Sequence, residues 1–166
     1  MVEEIQFLEK GEFSDLGTVP GTQVMELAKN GFKVTGSDVS PSAIEKAKLS
    51  ASNVNFVIDD ILNSEFESES FDYILDGGCF HVLSVDERET YLSQIKRILK
   101  KNGMIFLKCM SKNEKNISED KVPHKFYKEE IINDFDIKKN KDVVYYGTLK
   151  PLLKVLFFVM KKLVKL

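Results

Sequence analysis

Four sets of residues could hold a small ligand and do chemistry on it, and each follows a run that reads as a β-strand. The first is Ser14-Asp-Leu-Gly-Thr-Val-Pro-Gly21. Gly17 and Gly21 carry no Cβ, so the turn can be tight and a ligand can lie against the main chain. Asp15, at the strand end, can meet a positively charged or hydroxylated ligand group. The second set is Asp38, about twenty residues past the glycine turn, the distance at which an acid reaches ribose hydroxyls. The third is the acidic pair Asp59-Asp60, and the fourth is Asp76-Gly-Gly-Cys-Phe-His81. Strand-end acids are often solvated turn residues. Four sets on one edge point to a ligand site instead, because open α/β sheets bind ligands beyond the carboxyl ends of their strands.

The elements that must position these sets alternate along the chain. Residues Val2 to Lys10 read as a short helix ended by Gly11. Glu12 to Leu16 reads as a first strand and Thr22 to Asn30 as a first helix, with Val24, Leu27 and Ala28 on one face and Gly31 as the stop. Phe32 to Asp38 is a second strand. Ser40 is a suitable N-cap with Pro41 at the first helical position, and that helix runs to about Ser50. Asn53 to Ile58 is a third strand and Phe71 to Asp76 a fourth, after a polar link from Asn63 to Ser70. Ser84-Val-Asp-Glu87 has capping-box spacing. Behind it, Leu92, Ile95, Ile98 and Leu99 mark a helix closed by Lys100, Lys101 and Gly103. Met104 to Cys109 is a fifth strand. This alternation implies a parallel sheet with helices on both faces. In the tail, Lys112 to Lys121 is loop-like and Phe126 to Phe135 helical. Asp136 to Tyr146 and Val155 to Lys162 read as an antiparallel edge pair joined through Gly147 and Pro151.

Composition narrows the classes. The 166 residues, 43% hydrophobic and 30% charged, suit one domain with one core. A net charge of −2 gives no argument for nucleic-acid binding. Cys79 and Cys109 have no metal spacing, so no metal is expected, and they read as free thiols in a reducing, cytoplasmic setting. No run is long enough for a membrane span. The apolar, lysine-bearing stretch Leu149 to Leu166 reads as an edge strand with a basic end, with an amphipathic membrane-surface segment as the alternative.

These residues resemble the class I S-adenosylmethionine-dependent methyltransferases, and within them the thiopurine methyltransferase-like and tellurite-resistance-like branch. The likeness is carried by Asp-Leu-Gly-Thr-Val-Pro-Gly-Thr-Gln (15–23), Gly-Phe-Lys-Val-Thr-Gly-Ser-Asp-Val-Ser (31–40) and Asp-Asp-Ile-Leu (59–62). It continues through Phe-Asp-Tyr-Ile-Leu-Asp-Gly-Gly-Cys-Phe-His (71–81), Arg-Glu-Thr-Tyr-Leu (88–92) and Phe-Leu-Lys-Cys-Met-Ser (106–111). The resemblance implies a Rossmann-like, doubly wound, mostly parallel seven-stranded α/β sheet of order 3-2-1-4-5-7-6 with strand 7 antiparallel. It implies S-adenosylmethionine as cofactor. Asp15, Leu16, Gly17, Thr18 and Gly21 would hold its methionine part, Asp38 its ribose, and Val39 would lie beside the adenine. Asp60 would accept from the adenine amino group and the Ile61 N–H would face a ring nitrogen. Asp76 and Gly77, with the residues up to Phe80, would line the methyl-transfer channel.

The implied activity is methyl transfer to a small molecule, such as a thiol or a selenium or tellurium species, by a monomer or homodimer that engages neither nucleic acid nor membrane. The methyl group arrives activated, so positioning supplies most of the catalysis. An oxygen or nitrogen acceptor needs a base, for which His81 is the candidate. It reads more readily as a residue that packs or hydrogen-bonds at the start of the next helix. His124 follows a loop, and a nucleophilic Cys79 does not suit direct transfer.

Two features depart from the family pattern. Val19 stands where the loop has glycine, so weaker cofactor binding and impaired activity are expected unless the loop is redrawn. About ten residues precede the first strand, where the family carries covering helices, so a more open site is expected. A methyltransferase-fold protein with weak or no cofactor binding is therefore the alternative reading. A nicotinamide dehydrogenase shares the glycines and Asp38 but needs the G-x-G-x-x-G register that this turn lacks.

Overall fold

Five parallel strands order the molecule: β1 (Glu12–Leu16), β2 (Lys33–Asp38), β3 (Asn55–Ile58), β4 (Phe71–Asp76) and β5 (Leu99–Ser111). The structure is a computed structural model and describes residues 8–18, 21–51, 54–112, 124–126, 130–131, 143–147 and 155–161. Three further strands complete one sheet: β6 (Lys125–Phe126), β7 (Val143–Gly147) and β8 (Val155–Lys161). The sheet runs β3-β2-β1-β4-β5-β8-β7, with β6 beside β5 off that path. β8 is antiparallel to both β5 and β7.

Helices α1 (Thr22–Lys29), α2 (Pro41–Ser50) and α3 (Val85–Ile98) cover the two faces. Val24 and Leu27 of α1 and Ile44 and Ala47 of α2 pack on Phe13, Tyr73 and Phe106. Tyr91, Ile95 and Ile98 of α3 pack on Leu16, Ile74 and Leu107 on the other face. Strand alternation divides the sheet between these two cores. Ser40 caps α2, accepting from the Ala43 N–H, with Pro41 next in the chain. Glu87 closes the α3 box, accepting from the Ser84 N–H at 2.8 Å and its hydroxyl at 2.7 Å.

Three expectations are corrected. The sheet has eight strands rather than seven, because β6 lies where the sequence pattern predicts the start of a helix. Met110 and Ser111 of β5 pair with Lys125 and Phe126. β8 already occupies one edge of β5 at Met110, so β6 takes the opposite edge, beyond the end of β4. Phe126 is buried there with its ring centroid 5.4 Å from that of Phe80. Burying that ring outweighs the local helical preference, which survives only at Glu130 and Ile131 among the described residues of that segment. Secondly, residues 8–10 are not helical.

Thirdly, Lys100, Lys101 and Gly103 do not close α3. The helix ends at Ile98 and the chain enters β5 at once, with Leu99 paired to Phe71. The register then shifts before Tyr73 pairs with Met104, and Asn102 takes a φ of 64°. Gly103 serves this bulge, since a Cβ there would lie 2.8 Å from Leu99 Cγ and 2.9 Å from the Asp72 carbonyl oxygen. Residues 1–7, Val19, Pro20, Asn53, the 113–121 loop, the 136–142 part of the expected edge strand, Pro151 and the 162–166 end lie outside the described residues.

The bulge makes a test. Gly103→Ala is expected to lower stability by about 1–3 kcal/mol in urea denaturation. Unchanged stability would mean that the close approach at Gly103 is not a constraint.

Candidate functional site

Parallel pairing sets the strand ends side by side. Leu16 is in register with Ser37 and Asp76, and Asp38 with Ile58. The chain leaves β1 through Gly17 at φ 67° and enters α1 through Gly21 at φ 84°. Both values belong to the left-handed region that glycine adopts without strain. The Gly17 and Thr18 N–H groups both donate to the Ser37 carbonyl, at 2.9 and 3.1 Å, which ties the turn to β2. A Cβ on Gly17 would come within 3.0 Å of Cys79 Sγ, so the glycine turn and the loop after β4 touch.

Asp76 lies at the centre of that loop and is 0% exposed. Its Oδ1 accepts from the Gly78 and Cys79 N–H groups at 2.8 and 2.6 Å. Its Oδ2 accepts from the Phe80 N–H at 2.9 Å and the Tyr91 hydroxyl at 2.6 Å. Both oxygens are thus occupied internally, and the Asp76 side chain shapes the loop from beneath. Tyr91 is held as a donor: burial first, then the Asp76 charge, pushes its pKa well above the usual phenol value. Burial first, followed by the carboxylates of Asp76, Asp38, Asp15 and Asp60, likewise keeps Cys79 a thiol. That environment opposes a nucleophilic role.

Asp15 is 2% exposed and differs from Asp76 in its partners. Its pKa is raised to about 7, above all by burial. Thr18 and Lys108 favour its charged form, while Asp76 opposes it. The Thr18 hydroxyl stands beside it without closing a hydrogen bond of good geometry. Asp38 uses Oδ1 to accept from the Ser40 N–H at 2.9 Å, and its other oxygen has no partner among the described residues. Val39 beside it is 63% exposed, and Ile58 across from it is 58% exposed. Asp60 is exposed and caps the 3₁₀ turn Ile61–Asn63 through the Leu62 N–H at 2.9 Å, with Ile61 buried behind it. Asp59 is bonded to the Glu65 N–H through Oδ1, and its Oδ2 is buried without a partner.

His81 lies in the 3₁₀ turn Phe80–Val82, its ring 3.7 Å from where a Cβ on Gly78 would be. Burial first lowers its pKa below 6.5, partly offset by the Asp76 charge and the Lys108 carbonyl. Its Nδ1 is buried and has no hydrogen-bond partner. His124 is exposed. Two residues not singled out from the sequence join the site. Gln23 Nε2 and Lys108 Nζ lie 3.1 and 4.0 Å from where a Cβ on Gly77 would be, and Gln23 Oε1 is buried and unpartnered. A lysine inside the apolar run Met104 to Cys109 is the signal that could have marked Lys108. Tyr91 gave no such signal, because it falls on the apolar stripe of α3.

Among the described residues no cluster could hold a metal ion and no helix is long and apolar enough to cross a membrane.

A methyltransferase domain family matches residues 13–103, the span from β1 into β5 that contains the glycine turn, Asp38, Asp60 and the loop after Asp76. The chain belongs to that methyltransferase family. It is 36% identical over 118 residues to an uncharacterized methyltransferase of Schizosaccharomyces pombe, covering 68% of this chain and 81% of that protein. It is 30% identical over 133 residues to EEF1A lysine methyltransferase 2 of Homo sapiens, covering 73% of this chain and 50% of that protein. In fold it is similar to a SAM-dependent methyltransferase from Methanosarcina mazei, with a TM-score of 0.78 at 18% identity, covering 99% of this chain and 98% of that one.

Two measurements check the electrostatics. The folded state holds a proton on Asp15 that the unfolded chain has lost between pH 3.8 and about 7. Stability from this group is therefore full below pH 4 and lost as pH rises through 7. Asp15→Asn is expected to remove that decline, leaving the ligand-free variant more stable than wild type at pH 8, by up to about 4 kcal/mol. Equal pH dependence of the thermal midpoints would refute the assignment. Tyr91→Phe removes a donor from a buried carboxylate and is expected to cost about 1–3 kcal/mol in chemical denaturation.

Proposed function

We propose that this edge binds S-adenosylmethionine and that the chain catalyses transfer of its methyl group to a small-molecule nucleophile by in-line displacement. The observation that carries the reading is the pairing of a close-approach glycine turn with Asp15, a buried carboxyl poised to charge beneath it. A sulfonium or ammonium group arriving there offsets the desolvation that holds the proton on. The rest of the edge fits the same ligand. Asp38 has a carboxylate oxygen available for ribose hydroxyls, and Val39 and Ile58 offer apolar flanks for a purine ring. Gln23 Oε1 and Thr18 Oγ1 are buried polar atoms without partners, suited to a polar ligand end.

When bound, the cofactor supplies an activated methyl group. The chain's own residues do the rest. Asp15, Leu16, Gly17, Thr18 and Gly21 hold the methionine end, and Asp60 and the Ile61 N–H the adenine edge. Asp76 fixes the loop so that Gly77 can pass close to the reacting atoms. On the acceptor side His81, whose pKa burial lowers, serves as the base for an oxygen or nitrogen acceptor. A thiolate acceptor needs no such help. A lysine side chain of a protein is the second reading, favoured by the likeness to EEF1A lysine methyltransferase 2.

Calorimetric titration with S-adenosylhomocysteine is expected to give micromolar affinity, about −8 kcal/mol, and Asp38→Ala to weaken it at least tenfold. Folded chain that gives no heat at millimolar ligand would sink the proposal in favour of a non-catalytic protein. With methyl-labelled cofactor and cell extract, label is expected in the low-molecular-weight fraction. Label in protein would favour the lysine reading.

A further inference from the structure

We propose that Gln23 and Lys108 form a carboxylate-binding subsite over Gly77. The proposal rests on the reading that this edge is a transferase site, and it names what holds the anionic group of a ligand there. Leu107 of β5 is in register with Asp76, so Lys108 stands level with Gly77, one step past the end of β4. Gln23 reaches the same point from the first turn of α1. A Cβ on Gly77 would lie 3.1 Å from Gln23 Nε2 and 4.0 Å from Lys108 Nζ. Glycine leaves that space open, and two nitrogen donors from different elements border it. One carboxylate entering there can accept from both, each at about 2.7–3.0 Å.

The surroundings favour an anionic ligand group over a packing role. Lys108 is half-buried between Leu107 and Cys109, which are 0% and 1% exposed. A lysine drawn into a sheet in this way is ordinarily paired, yet among the described residues no carboxylate forms an ion pair with its ammonium. Asp76, on the adjoining strand, has both oxygens committed to three main-chain N–H groups and Tyr91. Asp15 keeps its proton up to about pH 7. The Gln23 amide is also available, since its Oε1 is buried without a partner. Its nitrogen can donate to a carboxylate while its oxygen accepts from an ammonium, which suits an α-amino-acid end. The N-cap Gly21 makes no side-chain bond and no acidic residue stands in the first turn of α1, so the helix dipole adds positive potential at Gln23. A carboxylate has two sources in the transferase reading: the amino-acid end of the cofactor, or an acceptor that itself bears one.

The test has two arms, each on wild type, Lys108→Met and Gln23→Met. Titration calorimetry compares S-adenosylhomocysteine with its decarboxylated analogue, which keeps the ammonium. If the cofactor brings the carboxylate, wild type is expected to bind S-adenosylhomocysteine about tenfold tighter than the analogue or better. Either substitution then cuts that preference about fivefold or more and leaves affinity for the analogue within about twofold. The second arm follows the Gly77 amide by NMR as mercaptoacetate, a thiol that bears a carboxylate, is added, with mercaptoethanol as the carboxylate-free control. A shift with mercaptoacetate alone, lost in Lys108→Met, is expected, and its persistence in chain saturated with S-adenosylhomocysteine assigns the carboxylate to the acceptor. A side chain that merely packs would weaken both nucleosides equally. That result, or no change in either nucleoside, together with a Gly77 amide that mercaptoacetate does not move, overturns the proposal. Lys108→Gln serves the same comparisons if the methionine variant does not fold. Should folded wild type bind neither nucleoside, the transferase reading fails, and the mercaptoacetate arm on the ligand-free chain decides the subsite by itself.

Discussion

The loop after β4 depends on one buried carboxylate. A carboxylate removed from water costs several kcal/mol unless its lone pairs are satisfied. Asp76 meets that condition with three consecutive backbone N–H groups and the Tyr91 hydroxyl. Hydrogen bonds to a charged acceptor contribute about 1.5–3 kcal/mol each, enough together to hold the group inside. The arrangement obliges residues 77–80 to wrap around the Asp76 side chain, which places Cys79 against Gly17, Phe80 under Phe126 and His81 at the rim. It also couples α3 to the sheet, since Tyr91 reaches Asp76 from that helix.

The neighbouring Asp15 lacks this provision, and the contrast gives the edge its chemistry. Two carboxyl groups end adjacent strands, and each raises the energy of the other's charge. One is paid for by the fold. The other lies beneath a glycine turn with its proton held by burial. Lys108 supplies a counter-charge from the third strand of the row. The β6 strand, continuing beyond the end of β4 along β5, walls that loop with Phe126, whose ring packs on Phe80.

The parallel frame was legible in the sequence because its signals are local. Glu12 to Leu16 and Phe71 to Asp76 are short apolar runs ending in acids. Ser40-Pro41 and Ser84 to Glu87 are cap signatures that bond with near neighbours. The reading failed where distant chain decided the outcome. Phe126 belongs to a helical pattern, but β5 offers an open edge and Phe80 a ring to pack on. Gly103 looks like a helix stop, but Leu99 pairs with Phe71 and draws the helix end back to Ile98.

The same division holds for the site. The sequence by itself determined that glycines and acids recur after successive strands, and hence, once the strands are parallel, that Asp15, Asp38, Asp60 and Asp76 share an edge. Side-chain alternation and parallel register require it. Only the tertiary structure decided which of these acids keeps an oxygen without a donor and which is consumed by the fold. That depends on burial and on donors such as Tyr91, brought from α3 by packing, and no spacing along the chain encodes the dielectric around a carboxyl group.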